Sequence, residues 1–273
     1  MGKTLTLTNQ LLFNRNAGRM NPIEDSSLKD IEGNLDIKSE IGIVLPTYCE
    51  AANVEKLINE IENLNLNLNL CILVIDDFSP DRTAEVVRKL QRKYKNILLF
   101  VRPKKIGLGT AITDGFKIFL SLRKSPKYIV TMDADCSHNP KEIPRVVSAA
   151  KKGNGLVIGS RYCRGGGTVG WSIIRLALSK VANLITKFRI DAKISDYTSG
   201  MRCYSTKLIR YMITDLHSQT YEIQIETIRQ ANLRKFRIKE IPIIFVNRKK
   251  GKSKLTINEI KDFFSYILSP NRT

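Results

Sequence analysis

The chain has 273 residues, 42% hydrophobic and 26% charged, which fits one large globular domain, alone or with appendages, and excludes a disordered, collagen-like or mucin-like chain. Lys and Arg number 45 against 26 Asp and Glu, a formal charge of +19, so the expected partners are anionic: nucleic acid, nucleotide phosphates, lipid phosphates or an acidic membrane surface. Five cysteines scattered singly, without C-x-x-C and with only two histidines, speak against a zinc site or a disulfide framework and fit a reducing, cytoplasmic setting.

In chain order, residues 1–39 are polar, rich in Asn, Ser and Lys, and lack periodicity, so they read as a flexible arm. Ile41-Gly-Ile-Val-Leu45 is a short apolar run ending at Pro46, a predicted buried strand. Val54, Leu57, Ile58, Ile61 and Leu64 then recur at helical spacing. Cys71 to Ile75 is a second strand running into Asp76-Asp77, after which Ser79 is placed to cap a helix with Pro80 in its first turn. Residues 97–101, 128–132 and 156–158 repeat the strand pattern, and Ile241 to Val246 reads as one more strand. Strands alternating with helices predict an α/β protein with a parallel sheet covered on both faces. No window of some 20 apolar residues encodes a membrane span.

In such a sheet ligands bind beyond the carboxyl ends of the strands. The polar groups there are Pro46-Thr-Tyr48-Cys-Glu50, Asp76-Asp77, Asp133-Ala-Asp135 and Gly159-Ser-Arg161. Asp133 and Asp135 carry the sharpest signal: carboxylates two apart at a strand end can point to one side, where a hard cation shared with a diphosphate relieves their repulsion. A lone D-x-D also fits one Asp capping the next helix and another in a surface ion pair. Asp76-Asp77 fits helix capping, or a carboxylate accepting from a nucleobase. Gly107-Leu-Gly109, with Lys104 and Lys105 upstream, is a weak phosphate-loop signal, and Arg248-Lys-Lys-Gly-Lys-Ser-Lys254 reads as a solvated loop or an electrostatic patch.

The strings PTYCEAANVEKL, VIDDFSPDRT, RPKKIGLGTA, MDADCSHNPKEIP, VIGSRY, GGGTVGWS, DYTSGMRCY, YEIQIE and PIIFVNRKKGKSKL stand in this order between Ile41 and Leu268. In this the chain resembles the dolichyl-phosphate (polyprenyl-phosphate) mannosyltransferases, inverting family 2 glycosyltransferases. The resemblance implies a GT-A nucleotide-sugar fold over 40–268, a mostly parallel sheet flanked by helices with amphipathic interfacial helices, leaving an arm over 1–39 and a tail over 269–273. It implies that Pro46, Tyr48, Glu50, Ile75 and Asp77 hold the nucleoside, and that Asp133, Ala134 and Asp135 surround the diphosphate and Mg2+ or Mn2+. Arg161, Arg248 and Lys254 would contact the donor diphosphate or acceptor phosphate, and with Asp135 carry catalysis. Ser137 stands where some relatives place a metal-ligating Gln; its shorter side chain leaves room for a water. Ser137, Arg175 and Glu226 face the acceptor in this scheme, although Glu226 fits equally a helix-face carboxylate paired with Arg229.

The implied partners are GDP-mannose, dolichyl or polyprenyl phosphate, a membrane surface and, for a chain without its own span, a small membrane-anchoring subunit. The setting is peripheral, on the cytoplasmic face of a membrane. A lipid phosphate is already largely ionised near neutral pH, so the reaction needs no dedicated base and the scarcity of histidine costs nothing. Ile174, Leu178, Val181, Ile185 and Phe188 form a helical stripe within 171–190, with Arg175, Lys180, Lys187 and Arg189 nearby; this fits an interfacial helix or one that covers the core. Residues 263–268 offer a second short apolar contact. A UDP-glucose-dependent polyprenyl-phosphate glucosyltransferase shares these features. A nucleic-acid-binding protein would explain the charge but calls for aromatics interleaved with cations, and aromatics are only 7%. An intact D-A-D argues against a non-catalytic scaffold.

Overall fold

The computed structural model describes residues 30–64, 69–190, 193–248 and 266–267. Its framework is an eight-stranded sheet. In chain order the elements are β1 (Ile31–Glu32), β2 (Ile41–Thr47), α1 (Ala51–Glu62), β3 (Leu70–Asp76), α2 (Thr83–Lys93), β4 (Ile97–Val101), α3 (Leu108–Ser121), β5 (Tyr128–Thr131), α4 (Ile143–Lys151) and β6 (Leu156–Ser160). Then follow β7 (Gly167–Val169), α5 (Ile173–Ile190), β8 (Arg202–Ser205), α6 (Thr206–Met212), α7 (Ile223–Leu233), β9 (Ile238–Pro242) and β10 (Ile244–Val246). The sheet order is β1-β4-β3-β2-β5-β8-β6-β9, and β10 pairs with β7 in a separate two-stranded sheet.

Period-two alternation divides the apolar side chains between the two faces. Ile41, Ile43 and Leu45 of β2 with Ile72 and Val74 of β3 pack on Val54, Leu57 and Ile58 of α1, Val87 of α2 and Val146 of α4. Val44, Leu73 and Ile75 point the other way, onto Phe116 and Phe119 of α3, Leu208 of α6 and Ile228 of α7. Both faces are thus covered by helices, as a buried parallel sheet requires. At Gly42 any Cβ would stand 2.8 Å from the Phe119 ring, so glycine is what lets α3 close on β2.

The sheet is mixed rather than wholly parallel. β2, β3, β4, β5, β6 and β9 run one way, whereas β8 runs against both β5 and β6, and β1 against β4. Ile31, within the stretch expected as an arm, is buried and pairs with Phe100. The rest of that arm, up to residue 29, lies outside the described residues, as does the 269–273 tail. The predicted strand over 241–246 is two strands: Pro242 has no N–H to donate, and the chain changes partner at Ile243, from β6 to β7. Tyr266 and Ile267, the described part of the 263–268 segment, pack on the α3 side of the sheet rather than standing free as a second membrane contact.

Candidate active site

β2, β3, β5 and β6 deliver their carboxyl ends to one edge of the sheet, and the antiparallel β8 brings its entry segment to the same edge. The residues singled out from sequence at strand ends therefore meet, and Asp196 to Gly200 join them.

On the β2–β3 side, Asp76 is fully buried and accepts from Thr47 Oγ1 at 2.8 Å, Ser79 N at 2.9 Å and Ser79 Oγ at 2.6 Å. It is a structural residue. Ser79 also accepts from Cys49 N at 2.9 Å, so it ties two loops together and does not cap α2; that helix begins at Thr83, whose amide donates to Asp81. Asp77 is paired with the buried Arg102 and accepts from Gly107 N at 3.1 Å. Arg102 in turn donates to Thr110 Oγ1 at 2.7 Å and Gly107 O at 2.8 Å. Glu50 is buried and accepts from Asn53 at 2.7 Å, and Lys105 lies 4.6 Å over the Tyr48 ring. Pro46 and Ile75 are opposite each other in the β2–β3 register. The Ile75 and Ala134 side chains belong to the core, so only their backbones are available to a ligand. Gly107 and Gly109 spend their amides on Asp77 and Gln219 O, which makes this turn a packing device rather than a phosphate loop.

On the β5–β6 side, the Asp133 carboxylate is 36% exposed and has His138 Nε2 at 3.2 Å. Burial opposes its ionisation, but His138, Arg248 and Arg161 outweigh this and hold its pKa below the ordinary carboxylate range. Asp135 pairs with Arg248 at 3.1 Å and accepts from Ser137 through both the amide, at 3.0 Å, and the hydroxyl. Ser137 is buried, so its hydroxyl orients the Asp135 carboxylate, a different task from the metal ligation expected of it. Arg161 is clamped by the fully buried Asp196: its amide and Nε donate to Oδ2 at 2.9 and 2.7 Å, and Nη2 to Oδ1 at 2.7 Å. Burial opposes the charge of both partners, yet each holds the other ionised: Asp196 is pulled down and Arg161 pushed up. Arg175 stacks 4.1 Å over Trp171 and donates to Asn247 at 3.0 Å. Burial, with Arg248 and Arg161 close by, pulls its pKa down. Three guanidiniums thus gather beside two carboxylates.

Glu226 does something else. It is buried and accepts from the amides of His217, at 3.0 and 3.2 Å, and Ser218, at 3.0 Å, bracing the loop that carries Gln219 against α3. Lys254 lies outside the described residues. The role of Asp196 was not read from the sequence: its only signal there is a place in the DYTSGMRCY string.

Next to Arg161 an open pocket of about 560 Å³ is lined by Arg161, Tyr162, Leu176, Lys180, Leu184 and Lys187 among others, so cations and apolar side chains share one wall. The α5 helix faces it inside out. Asn183 and Thr186 are its buried residues, and Asn183 accepts from Tyr197 N at 2.6 Å. Ile174, Leu178, Val181 and Phe188 of the predicted stripe are 73%, 65%, 50% and 81% exposed; Ile185 alone packs partly on the core. Core covering is therefore not what the stripe does. No helix among the described residues is long and apolar enough to cross a membrane.

A family model described as glycosyl transferase family 2 matches residues 42–213. Dolichol-phosphate mannosyltransferase from Pyrococcus furiosus is 33% identical over 230 residues, covering 84% of this chain; the match spans 62% of the relative's own length. Polyprenol monophosphomannose synthase from Mycolicibacterium smegmatis is 34% identical over 222 residues, 81% of this chain and 82% of the relative. Undecaprenyl-phosphate mannosyltransferase from Micrococcus luteus is 34% identical over 223 residues, 78% of this chain and 86% of the relative. Among solved structures, glucosyl-3-phosphoglycerate synthase from Mycobacterium tuberculosis, crystallised with Mn2+, UDP and glucosyl-3-phosphoglycerate, superposes with a TM-score of 0.60 at 18% identity, covering 86% of this chain and 79% of that one. That likeness concerns the fold, which is GT-A. With the family model spanning most of the sheet and relatives at one-third identity over most of its length, the chain belongs to glycosyl transferase family 2.

Proposed function

We propose that the protein transfers mannose from GDP-mannose to dolichyl or another polyprenyl phosphate, with inversion at the anomeric carbon. The observation that carries this reading is the gathering of Asp133, Asp135, Arg161, Arg175 and Arg248 at one sheet edge, beside a pocket whose wall is both cationic and apolar. A lipid phosphate needs that combination. The names of the three relatives supply the sugar and the lipid class.

A divalent cation fits the Asp133–Asp135 pair. Both offer hard oxygen donors, and Asp133 is partly open to solvent and held ionised. Among the described residues no cluster of three or more His, Cys, Asp or Glu is set to hold a metal, so diphosphate oxygens and water would complete the shell of Mg2+ or Mn2+. When bound, the ion supplies Lewis-acid stabilisation of the diphosphate leaving group.

The chain's own residues do the rest. Tyr48, Glu50 and Asp77 hold the nucleoside, with the backbones of Pro46 and Ile75. Arg161, fixed by Asp196, and Arg175 hold the acceptor phosphate in line with the anomeric carbon. A phosphate oxygen forms the new bond to that carbon as the bond to the donor diphosphate breaks, and Arg248, together with Lys254, neutralises the charge that builds on the leaving group. The acceptor arrives ionised, so no side chain has to remove a proton.

Attachment to the membrane is assigned to α5, whose exposed apolar side would lie in the headgroup boundary on the cytoplasmic face while its polar side stays docked on the protein. Binding to protein-free vesicles separates this from attachment through a small membrane-anchoring subunit. The deciding experiment is a donor screen with short-chain polyprenyl phosphate, Mg2+ or Mn2+, and labelled GDP-mannose, UDP-glucose and UDP-N-acetylglucosamine. Transfer from GDP-mannose is expected; transfer from UDP-glucose alone makes the protein a glucosyltransferase, and no transfer from any donor overturns the reading.

A further inference from the structure

His138 has no part in the scheme above, yet it is 1% exposed and touches Asp133. The chain leaves β5 through Asp133, turns at Cys136, whose φ is +60°, and folds His138 back so that Nε2 stands 3.2 Å from Asp133 Oδ2. An ionised carboxylate only accepts, so Nε2 carries the hydrogen. The other ring nitrogen, Nδ1, is buried and has no hydrogen-bond partner among the described residues, which leaves Asp133 as the ring's polar anchor there. Across Asp133 the chain leaves no slack either: a Cβ on Gly200 would stand 2.8 Å from Oδ1. The carboxylate is held between a backbone on one side and an imidazole on the other.

The far side of the imidazole meets the Phe245 ring edge to face at 5.1 Å, and Phe245 meets Trp171 at 5.4 Å. Arg161 lies 5.3 Å over Trp171 and 5.7 Å over Phe245. The preceding carbonyl, of Ser137, accepts from Val246 N at 3.0 Å, so the loop bearing both aspartates is fastened to the strand that leads to Arg248.

We propose that His138 is the positioning residue for Asp133, donating through Nε2 to fix the carboxylate for a divalent cation while its ring rests on Phe245. The proposal rests on the metal reading above. A carboxylate that loses its outer hydrogen bond must be ordered by the metal itself, and loss of such partners typically lowers metal affinity about 10–100-fold.

Trp171 is the single tryptophan of the chain and lies one ring beyond His138's neighbour, so its emission reports on this stack. The test is Mn2+ titration with saturating GDP or UDP, followed by Trp171 emission and by the electron paramagnetic resonance signal of free Mn2+. His138→Leu, which keeps bulk but not the donor, should weaken Mn2+ binding about 10–100-fold and leave metal-free nucleotide binding unchanged. His138→Gln, whose amide reaches the Nε2 position, should restore most of the affinity. Mn2+ binding at the wild-type level in a folded Leu variant, a Gln variant as weak as Leu, or a wild-type protein that binds no Mn2+ would each overturn the proposal. Should the Leu variant not fold, His138→Gln against His138→Asn decides it, because the Asn amide reaches only the Nδ1 position: equal affinities overturn it and a weaker Asn variant supports it. Tight Mn2+ binding by a wild-type protein that transfers no mannose sinks the function reading and leaves this one standing.

Discussion

Asp76 and Asp77 are chemically identical neighbours with opposite fates, because alternation along the strand turns one into the loops and the other toward Arg102 and Gly107. Asp133 and Asp135 are likewise set apart by what surrounds them. If Asp135 holds the metal, Asp135→Ala should abolish transfer and leave the unfolding temperature near wild type; substantial activity, or activity that survives excess chelator, refutes the assignment. The Arg161–Asp196 pair makes a separate prediction. Both are buried, so Asp196→Asn strands a guanidinium and should cost about 3–5 kcal/mol in urea unfolding at pH 7. Asp196 has a native pKa below its unfolded value, so its contribution is complete above about pH 4 and is lost as pH falls through the native pKa. The Asn variant should accordingly lose less stability than wild type between neutral and acid pH. An equal loss in both would place the acid sensitivity elsewhere. Of the five non-glycine residues with positive φ among the described residues, four, Cys49, Phe78, Arg82 and Cys136, lie in the loops at this edge. Each forgoes about 1–2 kcal/mol of backbone preference, and no glycine or asparagine marks these turns in the sequence.

Among the elements, α5 departs furthest from the rule that apolar stripes face inward. Its buried side is held to the rest of the protein by hydrogen bonds: Asn183 Oδ1 accepts from Tyr197 N at 2.6 Å, Asn183 Nδ2 donates to Thr198 Oγ1 at 3.2 Å, and Ser179 Oγ accepts from the Tyr162 hydroxyl at 2.7 Å. The periodicity of the helix was legible, but periodicity has no sign: a stripe can face a core or a bilayer with the same spacing. Replacing Ile174 and Phe188 with Asp should remove about 1.5–3 kcal/mol of membrane transfer free energy per site, enough to release the protein from vesicles in a flotation assay. Because both side chains are exposed, the unfolding midpoint should hardly move. Retained binding, or unfolding, would return the stripe to an ordinary packing role. β9 and β10 give the complementary case, where one apolar run became two strands because the proline within it cannot donate to a ladder.

At the scale of the molecule, +19 overall coexists with an acidic pair, Asp133 and Asp135, at the carboxyl edge of the sheet. Arg175, Lys180, Lys187 and Arg189 of α5 lie beside the face that would meet lipid, and each cation near an anionic surface is worth about 1 kcal/mol at low salt. Raising salt from about 0.05 to about 0.5 M shortens the screening length roughly threefold. Binding to anionic vesicles should then fall by at least about tenfold, while the weaker binding to neutral vesicles, set by apolar contact, should hardly change. Equal salt dependence on both would mean that the charge has no part in attachment.

The alternation of short apolar runs with helical spacing was enough to specify an α/β sheet, its strand-end carboxylates and the edge where they gather, because burial on both faces writes itself into local pattern. Nine short strings in order were enough for the family. Other features depended on which strands became neighbours. Local pattern does not encode that β8 runs antiparallel, yet that reversal delivers Asp196 to Arg161 and Gly200 to Asp133. Nor could spacing tell that Ser137 and Glu226 are occupied by protein partners, or that His138 closes on Asp133. Hydrophobic periodicity is a property of each segment alone, whereas the partner of a buried charge is chosen by the packing of segments distant in sequence, and only the tertiary structure decides it.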